Sequence, residues 1–227
     1  MGVGGVLMVS YLALFAGLTI HQAAATSLFT FLFTGILGTW LYQRRGSIDW
    51  RISLPVCAAA LVFGFLGAAA AAIIDARPLA IIIALVIVAA GIYILVPAKI
   101  TPREHTRGPR EQILLASVGA VSGFGSGFSG AGGPLFSVPL MVILRYAPLT
   151  AVATSQVLQI VAATSGSISN ITNDFVDFRT ASIVTIFELL GVIAGVRLAH
   201  IASALVLRRL AGALCVLTGG LLLARTL

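Results

Sequence analysis

Long apolar runs, separated by short polar loops, follow one another along almost the whole chain. Their length and their lack of alternation between apolar and polar residues predict helices rather than strands. A helix of about 20 such residues spans a hydrocarbon core of about 30 Å. The predicted helical segments are Gly4–Leu18, Ala23–Tyr42, Ile52–Ile74, Leu79–Val96, Ile113–Leu144, Ala151–Ile171, Ala181–Ala199 and Val206–Leu223.

The composition indicates an integral membrane protein. Hydrophobic residues make up 59% of the 227 residues and charged residues only 9%, and a soluble domain of this size could not bury so much apolar surface. The net charge of +7 comes from basic residues spread over short loops, which is typical of a cytoplasmic face rather than a nucleic-acid surface. We therefore expect a lipid bilayer and no nucleic acid as partner. Cys57 and Cys215 lie inside apolar runs and predict neither a disulfide nor a metal site.

An internal repeat relates the two halves of the chain at a constant offset of 128 residues. Chance matching of apolar residues does not explain matched Asp-aromatic-Arg triplets and matched Ala-x-Ala-Thr-Ser segments in one register. The corresponding segments are Gly2–Gly5 with Gly130–Gly133, Ala23–Ser27 with Ala151–Ser155, and Ile48–Arg51 with Val176–Arg179. The sequence therefore predicts two homologous membrane repeats, residues 1–98 and 112–227, joined by a basic cytoplasmic loop over residues 99–111.

The first repeat is shorter than the second at its beginning. The second repeat has an arm, about Glu111–Ser129, before its glycine motif, whereas the first begins at Met1 directly on that motif. We expect repeat 1 to be N-terminally incomplete, through a truncated or misassigned start.

The distribution of basic residues favours inverted over parallel repeats. Inverted repeats place 11 of the 14 Lys and Arg residues in the cytoplasm and leave Arg77, Arg179 and Arg225 outside, whereas parallel repeats place only 9 inside. Inverted repeats whose broken helices meet at the middle of the membrane are a transporter architecture.

The glycine- and serine-rich stretch Ser126–Val138 interrupts one apolar run. The arms on either side, Ile113–Gly125 and Pro134–Leu144, each look too short to cross the bilayer, which predicts a broken or re-entrant helix. Pro134 suits the first position of a helix, so the amides of Gly130–Gly133 would lie at a positive helix N-terminus that can bind an anion. The alternative is that the glycines only allow helices to pack closely.

Hydroxyl groups recur at the start of the helix that follows each glycine motif. Hydroxyls and amides can donate hydrogen bonds to a small oxyanion, or instead bond back to helix carbonyls. The residues are Thr26 and Ser27 in the first repeat and Thr154 and Ser155 in the second, where Gln156 and Gln159 extend the polar face.

The acidic residues of the helical segments call for separate interpretations. Asp49 and Asp177 each precede an aromatic residue and an arginine at a helix entry, where a negative charge stabilises the helix N-terminus. Glu188 lies about 13 Å into its helix, which makes it a candidate proton carrier or a neutral acid bonded to a neighbouring helix. His21 and His105 fall in predicted loops and receive no role.

No catalytic motif is found in the sequence. It contains no Ser/His/Asp spacing, HExxH, phosphate-binding loop or paired metal ligands. We expect no enzyme and no cofactor, and any transport must draw its energy from a gradient or from a partner protein.

The stretch Ser126–Leu140, SGFSGAGGPLFSVPL, resembles the S-G-x-x-G-x-G-G-G-x-x-x-V-P-x-L pattern of the TauE/SafE family of membrane permeases, the sulfite-exporter family. The resemblance is reinforced by Ala151–Ser155 and by the first-half copies of both motifs. Pro134 stands where the third glycine of the pattern is common, and Tyr11 stands where the second half has Pro139.

The resemblance implies a multi-pass permease of a bacterial or archaeal inner membrane that exports sulfite or a related small sulfur-containing anion, by secondary transport or facilitated diffusion. The alternatives are a truncated, non-transporting scaffold or inactive paralogue, and a permease for another small ligand such as a carboxylate or a metal ion. Carried over by position, the substrate-binding residues are Ser126, Ser129, Gly130, Gly132, Gly133, Thr154 and Ser155, with the first-half copies Gly4, Gly5, Thr26 and Ser27.

Overall fold

The computed structural model describes residues 3–95, 108–198 and 204–226. These residues form helices and no strand, as predicted. The helices are α1 (Val3–Leu14), α2 (Ile20–Arg44), α3 (Trp50–Ala72), α4 (Ala76–Leu95), α5 (Pro109–Ser129), α6 (Pro134–Ile143), α7 (Pro148–Thr172), α8 (Phe178–Leu198) and α9 (Ala204–Thr226). Most of the predicted loop 99–111, including His105, lies outside the described residues.

Three of the described helical stretches are long and apolar enough to cross a membrane by length and composition. They are Ile20–Arg44, Trp50–Ala72 and Ala76–Tyr93. The helix α6 is apolar but has only ten residues, so it reaches about 15 Å and cannot cross the bilayer by itself.

The helix α5 is longer than the sequence predicted. Although α5 is not among the three stretches that are both long and apolar enough to cross a membrane, it has 21 residues and extends about 31 Å, against 13 residues for the predicted arm Ile113–Gly125. The reason is close packing on α3, because a Cβ atom at Gly119, Gly123 or Gly127 would collide with the α3 backbone. Such packing offsets the cost of about 1 kcal/mol that a glycine adds inside a helix.

The helix boundaries follow the internal repeat. The helix α2 begins at Ile20 and α7 begins at Pro148, an interval of 128 residues, and their last residues are separated by the same interval. The first residues of α3 and α8, and of α4 and α9, repeat this interval. The helix α5 has no counterpart among the described helices of the first half.

Helices that correspond between the two halves pack antiparallel. Gly35 of α2 lies against Ile160 of α7, whereas Gly38, further along α2, lies against Gln156, which precedes Ile160. The helices α4 and α9 show the same reversal, since Gly91 contacts Gly212 and Cys215 while the earlier Ala84 and Ile87 contact Gly219. Antiparallel copies are what a two-fold axis in the membrane plane produces, and this is the relation expected of inverted repeats.

The helix directions sort the described arginines onto two faces. The helix α2 ends where α3, α5 and α7 begin, and this end of the bundle, here called the basic face, carries Arg44, Arg45, Arg51, Arg110, Arg145 and Arg209. The opposite face carries Arg77, Arg179 and Arg225; the Arg77 Nε donates to the carbonyl oxygen of Thr226 at 3.2 Å. An excess of arginine on one face is the pattern of cytoplasmic loops.

Candidate functional site

The chain breaks between α5 and α6 at two glycines with positive φ. Gly130 ends α5 with φ of 67°, and its N–H donates to the Ser126 carbonyl at 2.9 Å. Gly132 has φ of 83°. Residues with a side chain rarely adopt this left-handed conformation. A Cβ atom at Gly130 would also overlap the backbone of Ala24 in α2. Both the positive φ and the close contact with α2 therefore require glycine at this position.

The hydroxyl of Ser129 forms hydrogen bonds with backbone groups where α5 ends. Its Oγ donates to the Gly125 carbonyl at 2.6 Å and accepts a hydrogen bond from the N–H of Ala131 at 3.3 Å. The side chain therefore satisfies two backbone groups that the end of the helix leaves open.

The break lies at the level of the middle of the two core helices. Gly132 packs against the Phe31 ring of α2, and Gly133 packs against Leu158 and Gln159 of α7. Phe31 and Gln159 stand halfway along their 25-residue helices, and every residue from Ser129 to Leu135 is buried. The N-terminus of α6 is therefore buried near the centre of the protein.

Two backbone N–H groups at this N-terminus are without an acceptor among the described residues. Gly133 forms the N-cap of α6 without a side-chain hydrogen bond, and no described group accepts from the N–H of Gly132 or Gly133. Buried N–H groups are nearly always paired. Successive N–H groups in a left-handed and then a right-handed residue form a concave anion-binding arrangement.

Two of the predicted serines have buried hydroxyls that find no partner in the described part of the chain. They are Ser27 of α2 and Ser126 of α5, each with 0% exposure. Ser27 lies between Ala24 and Phe31 on one face of α2, the face that contacts Gly130 and Gly132. Sequence reasoning missed Ser122, one turn before Ser126, whose buried hydroxyl is likewise without a described partner.

The predicted threonines connect helices instead of facing the break. Thr26 accepts a hydrogen bond from the N–H of Asp177 at 3.1 Å, and the hydroxyls of Thr154 and Ser53 lie 3.2 Å apart. Ser155 donates to the carbonyl of Val152 within its own helix at 2.7 Å. These hydroxyls are thus already engaged in contacts within the protein.

The first-half glycines Gly4 and Gly5 fall in the first turn of α1, and the surroundings of that turn lie outside the described part of the structure. The helix α1 contacts α6. Both helices are short, and each begins at a glycine motif.

Gln159 joins the two core helices beside the break. Its Nε2 donates to the Phe31 carbonyl and to the Thr34 Oγ1, both at 2.9 Å. Phe31 and Gln159 are equivalent positions of the repeat, so this contact joins the halves at their axis. The signal in the sequence was a polar residue inside an apolar run, and Gln156, the other one, lies against Gly38.

Glu188 lies in α8, half-buried, beside the α2 helix. The hydroxyl of Thr30, next to Phe31, lies near its carboxyl group but donates to the Ser27 carbonyl at 2.9 Å. Its Oε2 atom is buried and has no partner among the described residues. The equivalent residue of repeat 1, Ala60, packs against Gly123 of α5.

The two aspartates at helix entries are N-caps. Asp49 accepts from the N–H of Arg51 at 2.9 Å, and Asp177 accepts from the N–H of Arg179 at 3.0 Å. The Thr180 hydroxyl also donates to Asp177, at 2.9 Å, and lowers the pKa of this carboxyl. Both act on helix stability, as the sequence indicated.

Known proteins support a transport role. The sequence matches the family model described as "Sulfite exporter TauE/SafE" over residues 1–222. The probable membrane transporter protein YdhB of Bacillus subtilis is 29% identical over 216 residues, which cover 91% of this chain and 86% of that protein. The probable membrane transporter protein MJ0441 of Methanocaldococcus jannaschii is 27% identical over 151 residues, 66% of this chain and 56% of that protein. No solved structure matches the chain.

Proposed function

The chain belongs to the TauE/SafE family of sulfite exporters, and we propose that it moves sulfite or a related small sulfur-containing anion across a bacterial or archaeal inner membrane. It is a multi-pass membrane transporter, and the finer proposal concerns its substrate and its mechanism. The mechanism is secondary transport or facilitated diffusion.

The observation that carries the proposal is the pair of buried N–H groups of Gly132 and Gly133 at the start of α6. No described residue accepts from them, and the helix dipole adds partial positive charge at the same place. The unpartnered hydroxyls of Ser27 and Ser126 supply further neutral donors. Neutral donors bind a small anion less strongly than a charged arginine would. This suits a site that must also release its ligand.

The packing of the repeats supports a site that is reached from both sides of the membrane. We take the antiparallel pairs α2–α7 and α4–α9 as inverted repeats, with the boundaries 1–98 and 112–227. In this arrangement the short helices α1 and α6 both begin near the centre of the membrane and run towards opposite faces. Rocking one repeat against the other would expose such a central site alternately to each face.

Glu188 is the group we assign to proton coupling. Its carboxyl lies beside Thr30, next to the residue that contacts the break, and an acid in a membrane helix is costly unless it has a function or a partner. Transport of an anion with a proton would lower the net charge that crosses the bilayer.

Reconstituted flux tests the proposal. Purified protein in proteoliposomes is assayed with sulfite, sulfate, thiosulfate and organosulfonates, and we expect uptake of at least one of these anions. Gly133→Leu should lower that flux at least about tenfold, since its side chain would occupy the space of Leu158 and cover the N–H groups. Gly220→Leu is the control, because nothing lies within 4 Å of a Cβ atom there. Unchanged flux in Gly133→Leu excludes the central site, and absence of flux for every anion favours the scaffold alternative.

A further inference from the structure

The two faces of the bundle carry cavities of very different volume, although the two halves of the chain are related by a repeat. On the basic face, a cavity of about 900 Å³ lies where α3, α5 and α7 begin. Its polar lining consists of Asp49, Arg51, Glu111, Gln112, Tyr146 and Thr150. On the opposite face, the cavity at the N-terminus of α2 has a volume of only about 10 Å³, which is about the size of one water molecule.

The side chain of His21 makes contacts with two other segments at the opposite face. His21 is the second residue of α2, not a loop residue as the sequence suggested. Its Nε2 lies 3.0 Å from the carbonyl oxygen of Ile74, just beyond the end of α3. Its ring stacks on Phe175, in the segment between α7 and α8, with ring centroids 5.1 Å apart. One side chain therefore ties three parts of the chain together at this face.

The contact of His21 lies directly outside the glycine break. His21 and Ala24 are one turn apart on the same face of α2, and Ala24 touches Gly130. Both line the small cavity, together with Gly127 and Asn170. Along α2, His21 therefore lies between the opposite face and the break.

The repeat supplies a comparison within the same chain. The residue equivalent to His21 is Leu149, and the residue equivalent to Phe175 is Ser47. Leu149 is 58% exposed, and a leucine and a serine can form neither the ring stacking nor the imidazole hydrogen bond. The neighbours Ala147 and Thr150 line the large cavity. The basic face thus has a cavity where the opposite face has the His21 contacts.

We propose that His21 is the gate residue of the opposite face, and that its contacts with Phe175 and the Ile74 carbonyl hold the conformation in which the anion site is approached from the basic face. This inference rests on the proposed transport function. Two-state transporters need contacts that are made in one state and broken in the other. His21 supplies them in this state, and it acts on access rather than on ligand binding.

Cysteine labelling tests the gate without requiring transport. In a background with Cys57→Ala and Cys215→Ala, Ala25→Cys places a thiol in the small cavity behind His21, at a position with 1% exposure. A membrane-impermeant methanethiosulfonate reagent is added on the opposite face of oriented vesicles. We expect slow labelling with His21 present, and labelling at least about tenfold faster in His21→Ala, the effect of losing one hydrogen bond and a ring contact.

The controls separate the gate from general loosening of the protein. Leu149→Ala, at the equivalent position of repeat 2, should leave the labelling rate of Ala25→Cys unchanged, and Thr150→Cys should be labelled from the basic face. Phe175→Ala removes the stacking partner and should act like His21→Ala, which provides a second variant if the first does not fold. Equal labelling with and without these side chains overturns the gate. Because labelling does not depend on substrate, failure of the flux assay leaves this result interpretable.

Discussion

At the scale of single residues, the buried hydroxyl of Ser27 is the most direct link between structure and transport. A buried hydroxyl without a partner costs about 1–3 kcal/mol, so a serine kept there for stability alone would be unfavourable. A bound anion would accept its hydrogen bond and remove this cost. The same argument applies to Ser126, whose hydroxyl is equally buried.

We therefore predict that Ser27→Ala lowers anion flux by about tenfold, the loss of one hydrogen bond to a charged ligand. The melting temperature in detergent should stay the same or rise, because an unpartnered polar group is removed. The control is Thr164→Ala, an exposed threonine whose hydroxyl donates to the Ile160 carbonyl at 2.7 Å. A lower melting temperature together with unchanged flux would assign Ser27 to packing.

Glu188 makes a prediction about pH rather than about binding. If its carboxyl carries the coupled proton, Glu188→Gln should transport anion down its own gradient but no longer respond to an imposed pH gradient. The measurement is flux in proteoliposomes with different internal and external pH. Asp75→Asn, at an exposed position between α3 and α4, should keep the response. A variant with an unaltered pH response excludes coupling through this residue.

At the scale of helices, the glycines of this chain have two different structural roles, which the sequence pattern does not distinguish. Gly119, Gly123 and Gly127 lie inside α5 and bring it close to α3, whereas Gly130 ends the helix and Gly132 lies in the break, both with positive φ. A local pattern cannot separate them, because the choice depends on whether a partner helix with small residues lies opposite. The break was predictable from the sequence, but the length of α5 was not.

Close packing between α3 and α5 predicts a large effect of a small change. A Cβ atom at Gly123 would lie 2.7 Å from the Cα of Ala60, so Gly123→Ala should lower the free energy of unfolding by about 1–3 kcal/mol. Thermal unfolding in detergent measures it. Gly191→Ala in α8 is the matched control, since nothing lies within 4 Å there, and the change should stabilise by up to about 1 kcal/mol. Equal melting temperatures for both variants would contradict the packing argument.

The candidate site was predictable where it depends on the backbone and less so where it depends on side chains. The glycines of the second motif and Ser27 were predicted as site residues because they belong to a repeated pattern. Thr26 and Thr154 belong to the same pattern but bond to Asp177 and Ser53. Which hydroxyl of an adjacent pair faces the break depends on the rotation of its helix, and in a run that is apolar all round the sequence does not fix that rotation.

At the scale of the whole molecule, the repeat gives a test of topology that is independent of substrate. Arg51 and Arg179 are equivalent residues, each two positions after a capping aspartate, yet they lie on opposite faces in the structure. Arg51→Cys should therefore react with an impermeant maleimide from the cytoplasmic side and Arg179→Cys from the outside, in a background without Cys57 and Cys215. Labelling of both from one side would establish parallel repeats.

The half-length of α6 also bears on how the chain is made. A segment of ten residues is too short to leave a translocon as a membrane-spanning helix, and its exposed backbone ends would be costly in lipid. The surfaces that cover it belong partly to α7, which is synthesised later. We therefore expect the glycine break to reach its buried position only after α7 has entered the membrane. Completion of the central site is then a late event in the biogenesis of this protein.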